Sequence, residues 1–377
     1  MKLSTITAVA AGLVMAACAP KTPDVELIPA ENFAGEVDGK PCALYTLKSD
    51  QIVVQATNFG ARVVSIFAPG KDGSYADVVA GRNTLDGYVH PAGERFLGAC
   101  VGPVANRIGG AGFVIDGVRY NTPANDNKVN TLHGGYIGLD NVVWNVKEAT
   151  DTRLVLEFMH PDGLEGYPGN VEIEMTYSVE GGDFRIDYKA TTDKPTPVNI
   201  SNHPFFNLRG EGIGTVEDYV MYINADLYVP IDSLSIPLGT LDPVEGTPFD
   251  FREPHTIGQM INTPDNQQLI NARGYDHNWC IAKKAPGEIE LACSVWDEQT
   301  GRFLEVLTDQ PGMQFYSGNF FNGKHSGKNG NPFTFRSSLA LETQMYPDTP
   351  NQPAFGDCTL RPGDVYTQTC IYRFSVK

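Results

Sequence analysis

Apolar and polar residues alternate along much of this chain, and the alternation predicts β-strands. Side chains on one face of a strand recur at every second position. Segments with this period are 51–57, 62–67, 113–120, 142–148, 153–159, 171–179, 183–191, 217–223, 288–296, 302–308 and 365–375. Helical periodicity is confined to 83–89 and 256–263. The sequence therefore predicts an all-β fold.

Turn signals between these segments indicate that neighbouring strands are antiparallel. Asp116-Gly117 separates two short apolar runs, and Gly181-Gly182 separates two long ones, as in two-residue hairpins. No repeat of fixed period and no low-complexity linker interrupts residues 39–377. We therefore expect a single large, mostly antiparallel domain over 39–377, built from two stacked sheets.

Composition agrees with this fold and narrows the choice of ligand. The chain has 377 residues, of which 41% are hydrophobic and only 19% are charged. Its 39 glycines and 26 prolines are typical of many short strands joined by turns. The formal net charge of −17 opposes attraction to nucleic acid or to anionic lipid headgroups. A neutral or cationic small molecule is the favoured partner.

The first 18 residues resemble a bacterial lipoprotein signal peptide. Lys2 precedes an apolar run at 5–17, and small residues stand directly before Cys18. The run is too short to span a bilayer comfortably. On this interpretation Cys18 carries the lipid, residues 19–38 form a tether, and the protein is exported and membrane-anchored, facing the periplasm or the cell surface. An ordinary secretory signal cleaved nearby remains the alternative.

The other six cysteines show no metal-binding pattern. They are Cys42, Cys100, Cys280, Cys293, Cys358 and Cys370. None lies in a Cys-x-x-Cys motif or in zinc-like spacing. An oxidising exterior would permit disulfides. Because most of them lie in apolar, strand-like runs, buried free thiols are the other possibility, and the sequence leaves both open.

A histidine inside residues 197–208 is the first candidate for chemistry. Pro204 biases His203 toward an extended backbone, which places the imidazole at a strand end. Phe205 and Phe206 are then expected to form the aromatic floor of a pocket for a polar ligand. A buried histidine satisfied by a backbone carbonyl is the structural alternative.

Further candidates are polar residues at predicted strand ends, in turns or in apolar strands: Asn106, Arg107, His133, Asp276, Gln314 and Glu342. The planar fork of Arg107 suits adjacent hydroxyls, and a carboxylate such as Asp276 accepts hydrogen bonds from vicinal hydroxyls. His277, next to Asp276, would point to the opposite face of a strand and is interpreted as structural. Glu342 lies in an otherwise apolar strand, where an unpaired carboxylate is costly and burial tends to raise its pKa.

These residues fit acid–base chemistry on a neutral ligand rich in hydroxyl groups. The chain has no His-x-x-x-His motif, no EF-hand loop, no nucleophile elbow and no phosphate-binding glycine loop before a helix. We therefore expect neither a metal nor a cofactor.

Taken together, these stretches resemble the aldose 1-epimerase (galactose mutarotase) family. The matching strings, in family order, are VANRIGGAGFVIDGVRY, NTLHGGYIGLDNVVW, PDGLEGYPGNVEIEMTYS, NISNHPFFNL, GYDHNW, PGMQFYSGNF and LETQMYPDTPNQPAF, with LRPGDVY behind the last. They cover roughly residues 40–377. The resemblance implies a galactose-mutarotase-like β-supersandwich.

The resemblance also implies roles for the candidate residues. His203 would be the general acid and Glu342 the general base that interconvert the anomers of a free aldohexose such as galactose or glucose. The residues expected to bind the sugar are Asn106, Arg107, His133, Asp276 and Gln314. Two positions depart from the family pattern: Pro103, where many relatives carry Arg or another polar residue, and Phe206, where Tyr-Phe is commoner than Phe-Phe. An anionic Glu342 is expected to raise the pKa of His203.

Three other functions compete with this interpretation. A non-catalytic carbohydrate-binding lipoprotein would have no need of both His203 and Glu342. An epimerase of hexose 6-phosphates would need a basic phosphate pocket, and a polysaccharide lyase or hydrolase would need a Tyr–Arg pair or paired carboxylates. The joint presence of His203 and Glu342 favours the epimerase. The preferred aldose and the oligomeric state remain open.

Overall fold

The computed structural model describes residues 23–377 and consists mainly of antiparallel strands. The predicted signal peptide and the first residues of the predicted tether lie outside the described residues. The strands of the N-terminal half are β1 (Gly35–Val37), β2 (Lys40–Cys42), β3 (Leu44–Lys48), β4 (Val53–Thr57), β5 (Arg62–Pro69), β6 (Tyr75–Asp77), β7 (Ala99–Val101), β8 (Arg107–Ile108), β9 (Gly112–Ile115), β10 (Val118–Asn121), β11 (Thr131–Leu132), β12 (Asn145–Ala149), β13 (Arg153–His160), β14 (Val171–Glu180) and β15 (Asp183–Thr192).

The strands of the C-terminal half are β16 (Thr196–Pro197), β17 (Ser201–His203), β18 (Phe205–Phe206), β19 (Val220–Ile223), β20 (Ala225–Val229), β21 (Asp242–Pro243), β22 (His255–Thr256), β23 (Asp276–Ile281), β24 (Glu290–Trp296), β25 (Arg302–Thr308), β26 (Gly312–Tyr316), β27 (Leu339–Gln344), β28 (Thr359–Leu360) and β29 (Tyr366–Val376). Each of the predicted strand segments contains an observed strand or hairpin, with ends within three residues of the prediction.

Helices are short and few in this part of the chain. Helix α1 (Leu85–Val89) confirms the prediction at 83–89. Thr84 is its N-cap residue, and the Thr84 hydroxyl accepts the Gly87 N–H. Helix α2 (Gln267–Ala272) was not predicted, and the segment 256–263 contains only a short 3-10 turn. The 3-10 turns are Ala30–Phe33, Gly109–Ala111, Leu139–Asn141, Leu164–Gly166, Val216–Asp218, Ile257–Gln259, Thr349–Asn351 and Pro353–Phe355.

Three sheets form the body of the domain. One sheet has nine strands in the order β12-β13-β14-β15-β29-β25-β24-β19-β22. The second has six strands, β18-β27-β26-β23-β20-β21, and the third has four, β3-β4-β5-β6. Both predicted hairpins are confirmed, as the pairs β9–β10 and β14–β15. The remaining strands form four two-stranded sheets, β1–β2, β8–β11, β16–β28 and β7–β17.

One hydrophobic core lies between the nine-stranded sheet and the two smaller sheets. It joins residues such as Tyr372 of β29, Leu341 of β27 and Val54 of β4. The hydroxyl of Tyr372 donates to the carbonyl of Leu341 at 2.9 Å, which links the two layers directly. The predicted all-β, two-layered sandwich is therefore confirmed.

Part of the segment predicted as a tether packs against the domain. The backbone of Ile28 exchanges two hydrogen bonds with the Gln55 side chain, each 3.0 Å long. Phe33 is fully buried and its ring lies 6.0 Å from that of Tyr88. Residues from Ile28 onward thus belong to the packed structure, because the Phe33 ring removes apolar surface from water.

The six cysteines from Cys42 to Cys370 are buried free thiols, which settles the choice left open by the sequence. Burial raises the pKa of Cys280 to about 11 and that of Cys358 to about 12. Within residues 23–377, no helix has both the length and the apolar character needed to cross a bilayer.

A buried lysine ties the loop between β26 and β27 to the rest of the domain. Nζ of Lys328 lies 2.7 Å from Oδ2 of Asp77 and donates to the carbonyls of Val64 and Val79. The carboxylate of Glu211 accepts from the N–H of Asn329, the next residue in the loop. Opposite charges that are both withdrawn from water depend strongly on each other.

We predict that Lys328→Met destabilises the domain by about 3–5 kcal/mol, because it leaves the Asp77 carboxylate buried without its cation. The loss should appear as a lower midpoint of urea denaturation monitored by tryptophan fluorescence. Lys324→Met, at an exposed position of the same loop, is the control and should leave the midpoint nearly unchanged. Equal midpoints for both variants would contradict the prediction.

Candidate active site

Three adjacent strands of the six-stranded sheet present a row of polar side chains on one face. Gln314 of β26 lies opposite Glu342 of β27 and opposite Asn278 of β23. Asp276 is two residues before Asn278 and therefore shares this face. His277 points the other way, with its ring 4.6 Å from that of Phe249 and Nε2 3.2 Å from Oε1 of Gln268. That is the structural position that strand alternation predicts.

The two predicted catalytic groups meet on this face. His203 ends β17, where its carbonyl accepts the Gly98 N–H at 3.0 Å. Nε2 of His203 lies 3.2 Å from Oε1 of Glu342, although the two residues are far apart in sequence. The side chains are only 7% and 2% exposed. An acid and a base are therefore in direct contact in a site that is largely shielded from water.

The aromatic floor is formed by one of the two predicted phenylalanines. The ring of Phe205 lies 4.7 Å from the His203 ring and lines the cavity. Phe206 instead packs in the core, with its ring 5.0 Å from that of Tyr372. Successive strand residues point to opposite faces, so positions 203 and 205 share a side and 206 does not. The expectation that Phe206 lines the pocket was wrong.

A reciprocal pair of hydrogen bonds holds His133 in one protonation form. The N–H of Asn106 donates to Nδ1 of His133 at 3.1 Å, and the N–H of His133 donates to the Asn106 carbonyl at 3.0 Å. Both residues have a left-handed backbone, with φ of 60° and 50°. Because Nδ1 accepts, the proton of the neutral ring lies on Nε2. His133 thus presents a hydrogen-bond donor to a ligand.

Arg107 and Gln314 orient the carboxylate of Asp276. Nε2 of Gln314 donates to Oδ1 of Asp276 at 2.7 Å, and Nη1 of Arg107 lies 4.0 Å from its Oδ2. Nε of Arg107 also donates to Oδ2 of Asp126 at 3.1 Å. The guanidinium therefore divides its charge between two carboxylates and keeps a fixed orientation at the cavity wall.

These side chains surround a cavity of about 130 Å³ that opens to solvent. Because the cavity is open on one side, a bound ligand can extend beyond the enclosed volume. The lining residues are Glu94, Phe96, Asn106, Arg107, Leu132, His133, His203, Phe205, Asp276, Tyr316, Phe320 and Glu342. Gln314 is the one predicted site residue that does not line it, and acts on Asp276 instead.

Sequence reasoning missed Glu94 and Phe96. They lie in the irregular segment between α1 and β7, which has neither strand nor helix periodicity. The Phe96 ring is 4.6 Å from the His133 ring and 6.2 Å from the His203 ring. The available signal was a charged residue beside an aromatic one shortly before the Asn106-Arg107 stretch. That signal is too common on protein surfaces to be used alone.

Burial decides the protonation of the central pair. It raises the pKa of Glu342 well above the usual carboxyl value, and the Asp276 carboxylate raises it further. Burial lowers the pKa of His203 to about 4. The expectation that Glu342 would raise the pKa of His203 was therefore wrong, because withdrawal from water disfavours both charged forms. The pair therefore shares one titratable proton and favours its neutral form, with that proton on Glu342.

Two oxygens in this polar row face away from any protein donor. Among residues 23–377, Oε2 of Glu342 and Oε1 of Gln314 are buried without a hydrogen-bond partner from the chain. Buried acceptors of this kind are costly unless something donates to them. Ligand hydroxyl groups are suitable donors for Glu342, which lines the cavity.

His133, His203 and Glu342 also place three potential metal ligands within 4.8 Å of one another. The protonation form of His133 disfavours metal binding by these three residues in this arrangement. Its Nδ1 lone pair accepts from Asn106, and its Nε2 carries the proton, so neither nitrogen offers a lone pair to a cation. The absence of a metal stays a prediction.

Residues 43–373 of this chain match the family model described as aldose 1-epimerase. The chain belongs to the aldose 1-epimerase family. The resemblance drawn from the sequence strings is thus confirmed.

Relatives within the aldose 1-epimerase family are similar to this chain over most of their own length. The galactose mutarotase of Mus musculus is 41% identical over 332 residues, which cover 88% of this chain and 94% of that protein. The aldose 1-epimerase of Escherichia coli (strain K12) is 37% identical over 341 residues, covering 89% and 96%.

Solved structures of the family show the same sandwich. An aldose epimerase homologue from C. elegans superposes with a TM-score of 0.81 at 29% identity, covering 89% of this chain and 99% of that one. Galactose 1-epimerase from Lactobacillus acidophilus NCFM gives a TM-score of 0.79 at 28% identity, covering 95% and 99%.

The two histidines of this aldose 1-epimerase family site have lowered pKa values. Burial lowers the pKa of His203 to about 4 and that of His133 well below its usual value. We predict that neither ring titrates near about 6.5, where a free imidazole does, and that His133 shows the Nε2–H form. The measurement is a pH titration of imidazole ¹⁵N signals, assigned through His133→Gln and His203→Gln. A midpoint near neutrality for either ring would refute this assignment.

Proposed function

We propose that this protein is an aldose 1-epimerase that interconverts the α- and β-anomers of free aldohexoses such as galactose and glucose. The observation that carries the proposal is the 3.2 Å contact between His203 and Glu342 at the wall of an open cavity lined by polar and aromatic side chains. The names of the family relatives support the same reaction. The residue roles rest on the geometry of this chain.

The reaction requires an acid and a base at one end of the sugar. A pyranose changes its anomer by opening to the aldehyde, rotating about C1–C2 and closing on the other face. Opening removes a proton from the C1 hydroxyl and delivers one to the ring oxygen. Because both oxygens are bonded to C1, the two protein groups must lie close together, as His203 and Glu342 do. Positioned acids and bases each contribute about 10²–10⁴-fold in rate.

The protons balance within the pair. Transfer of the pair's single proton from Glu342 to His203 gives the reactive charged form, in which Glu342 accepts the proton of the C1 hydroxyl while His203 gives its proton to the ring oxygen. Opening thus converts the charged pair into the neutral pair, which burial favours. Closure on either face reverses both transfers and restores the starting state. Each turnover therefore leaves the enzyme with the same single proton.

The remaining polar groups hold the sugar in place. His133 offers its Nε2–H as a donor, and Arg107 offers N–H groups beside it. Asp276 accepts from sugar hydroxyls, with its orientation set by Gln314 and Arg107. Asn106 fixes His133 through the backbone. Correct orientation of the reacting atoms lowers the entropic part of the barrier.

The charge of the lining disfavours phosphorylated sugars. Glu94, Asp276 and Glu342 face the cavity, whereas Arg107 is its one cationic lining residue and is shared with Asp126. A hexose 6-phosphate would bring two further negative charges to this surface. A non-catalytic sugar-binding protein is also disfavoured, since it gains nothing from burying an acid and a base in contact.

We predict that Glu342→Gln lowers kcat by about 10²–10⁴-fold, because the amide cannot accept the C1 hydroxyl proton but keeps the shape of the side chain. The measurement is polarimetry of freshly dissolved α-D-galactose, with the spontaneous rate subtracted. Sugar binding, followed by calorimetry, should remain within a few-fold of the original.

The matched comparison is Asp276→Asn, which removes a carboxylate from the same polar row. It should act mainly by raising KM, because Asp276 binds the ligand in both the ground and the transition state. A near-normal kcat in Glu342→Gln would remove Glu342 from the role of base.

We further propose, from the N-terminal sequence alone, that the enzyme is exported and anchored to a membrane through Cys18. Small residues before Cys18 support lipidation of that cysteine and anchoring of an exported enzyme. We predict that the full-length protein incorporates radiolabelled fatty acid and partitions into the membrane fraction. Cys18→Ala should abolish the label, whereas Cys42→Ala, a buried thiol of the domain, should retain it. Labelling that survives Cys18→Ala would overturn the lipoprotein assignment.

A further inference from the structure

The cavity wall contains a carboxylate that the proposed reaction does not use. Oε1 of Glu94 accepts the Phe96 N–H at 2.9 Å. Within residues 23–377, no lysine, arginine or histidine forms an ion pair with Glu94. The neighbouring Arg95 instead binds Asp140, with Nε 2.7 Å from Oδ2. Glu94 is thus a half-buried carboxylate at a ligand cavity without a cationic partner from the described chain.

The surroundings of Glu94 disfavour its charged form unless a cation is bound, because burial raises the pKa of this carboxyl group. Three carboxyl groups, those of Glu94, Asp276 and Glu342, line the cavity against the single guanidinium of Arg107. The Glu94 and Asp276 carboxylates both raise the pKa of Tyr316, and both raise that of Glu342. Their fields therefore act across the cavity, where low polarity strengthens them.

We propose that Glu94 fits the pocket for amino-deoxy aldoses, in which an ammonium group replaces one hydroxyl of the sugar. This inference rests on the proposed epimerase function and names a substrate class for the same site. Hydrogen bonds between an ammonium and a carboxylate are roughly twice as strong as those between neutral groups. An ammonium would supply the cation that Glu94 lacks.

An organic cation suits this position better than a metal ion. The aromatic rings of Phe96 and Phe320 line the cavity beside Glu94, and the ammonium group of a ligand is attracted to ring faces. The Phe96 ring already attracts a cation on its outer side, with the Arg95 guanidinium 5.2 Å from its centroid. A divalent metal would instead require several oxygen ligands around it.

The test compares amino sugars with their parent sugars in two forms of the full-length protein. Galactosamine and 6-amino-6-deoxygalactose are measured against galactose at about pH 6, where the amines are charged. The forms are the unmodified protein and Glu94→Gln. Rates of α-to-β conversion are followed by polarimetry, and amino-sugar binding is followed separately by calorimetry. The control variant is Glu36→Gln, which removes the same charge from the exposed strand β1.

We expect at least one amino sugar to be converted, and Glu94→Gln to lower the ratio of its kcat/KM to that of galactose by about five-fold or more. Glu36→Gln should leave this ratio unchanged. N-acetylgalactosamine, which carries no charge, should not follow the amino sugars.

Two results would overturn the inference. One is failure of the unmodified protein to bind or convert either amino sugar while it converts galactose, which leaves the epimerase function standing. The other is an equal loss for amino and parent sugars in Glu94→Gln, which assigns Glu94 to hydroxyl binding. If no sugar is converted but amino-sugar binding still weakens in Glu94→Gln, the Glu94 site stands and the epimerase function fails.

Discussion

The removal of an imidazole and a carboxyl group from water is the constraint on which the rest of the site depends. His203 and Glu342 are both almost fully buried and touch across 3.2 Å. In water each would hold its ordinary charge, and proton exchange with solvent would compete with exchange through a ligand. In the sandwich, burial opposes both charges at once. In the proposed mechanism a single proton then moves between the two groups and the ligand.

The sheets supply the rigidity that such a pair requires. Glu342 is fixed in the middle of β27, between paired strands, and its neighbours Gln314 and Asp276 follow from the strand register. His203 approaches from β17, a two-strand unit with β7. The loop that carries Phe320 is held from behind by Lys328. Groups placed on paired strands keep their geometry better than groups on free loops.

The sequence predicted which polar residues meet at the site better than it predicted what surrounds them. Glu342 was identifiable as a lone carboxyl in an apolar strand, and His203 as an imidazole held extended by Pro204. Strands β23, β26 and β27, which carry the polar row, lack a period of two because they are buried on both faces. Glu94 lies in a segment without periodicity. The pKa of His203 depends on burial depth, which no local pattern reports.

The reciprocal bonds between Asn106 and His133 divide the work of the two cavity histidines. A ring whose proton position is set by the main chain offers the same face to a sugar at any near-neutral acidity. In the proposed reaction the proton position of His133 is thereby independent of proton transfer at His203, although the two rings are 5.4 Å apart. The proton of His133 stays on one nitrogen, whereas His203 gains and loses its proton in the proposed reaction. Because the main chain of residue 106 makes both bonds, a change of side chain there keeps the His133 proton in place as long as the left-handed backbone is retained.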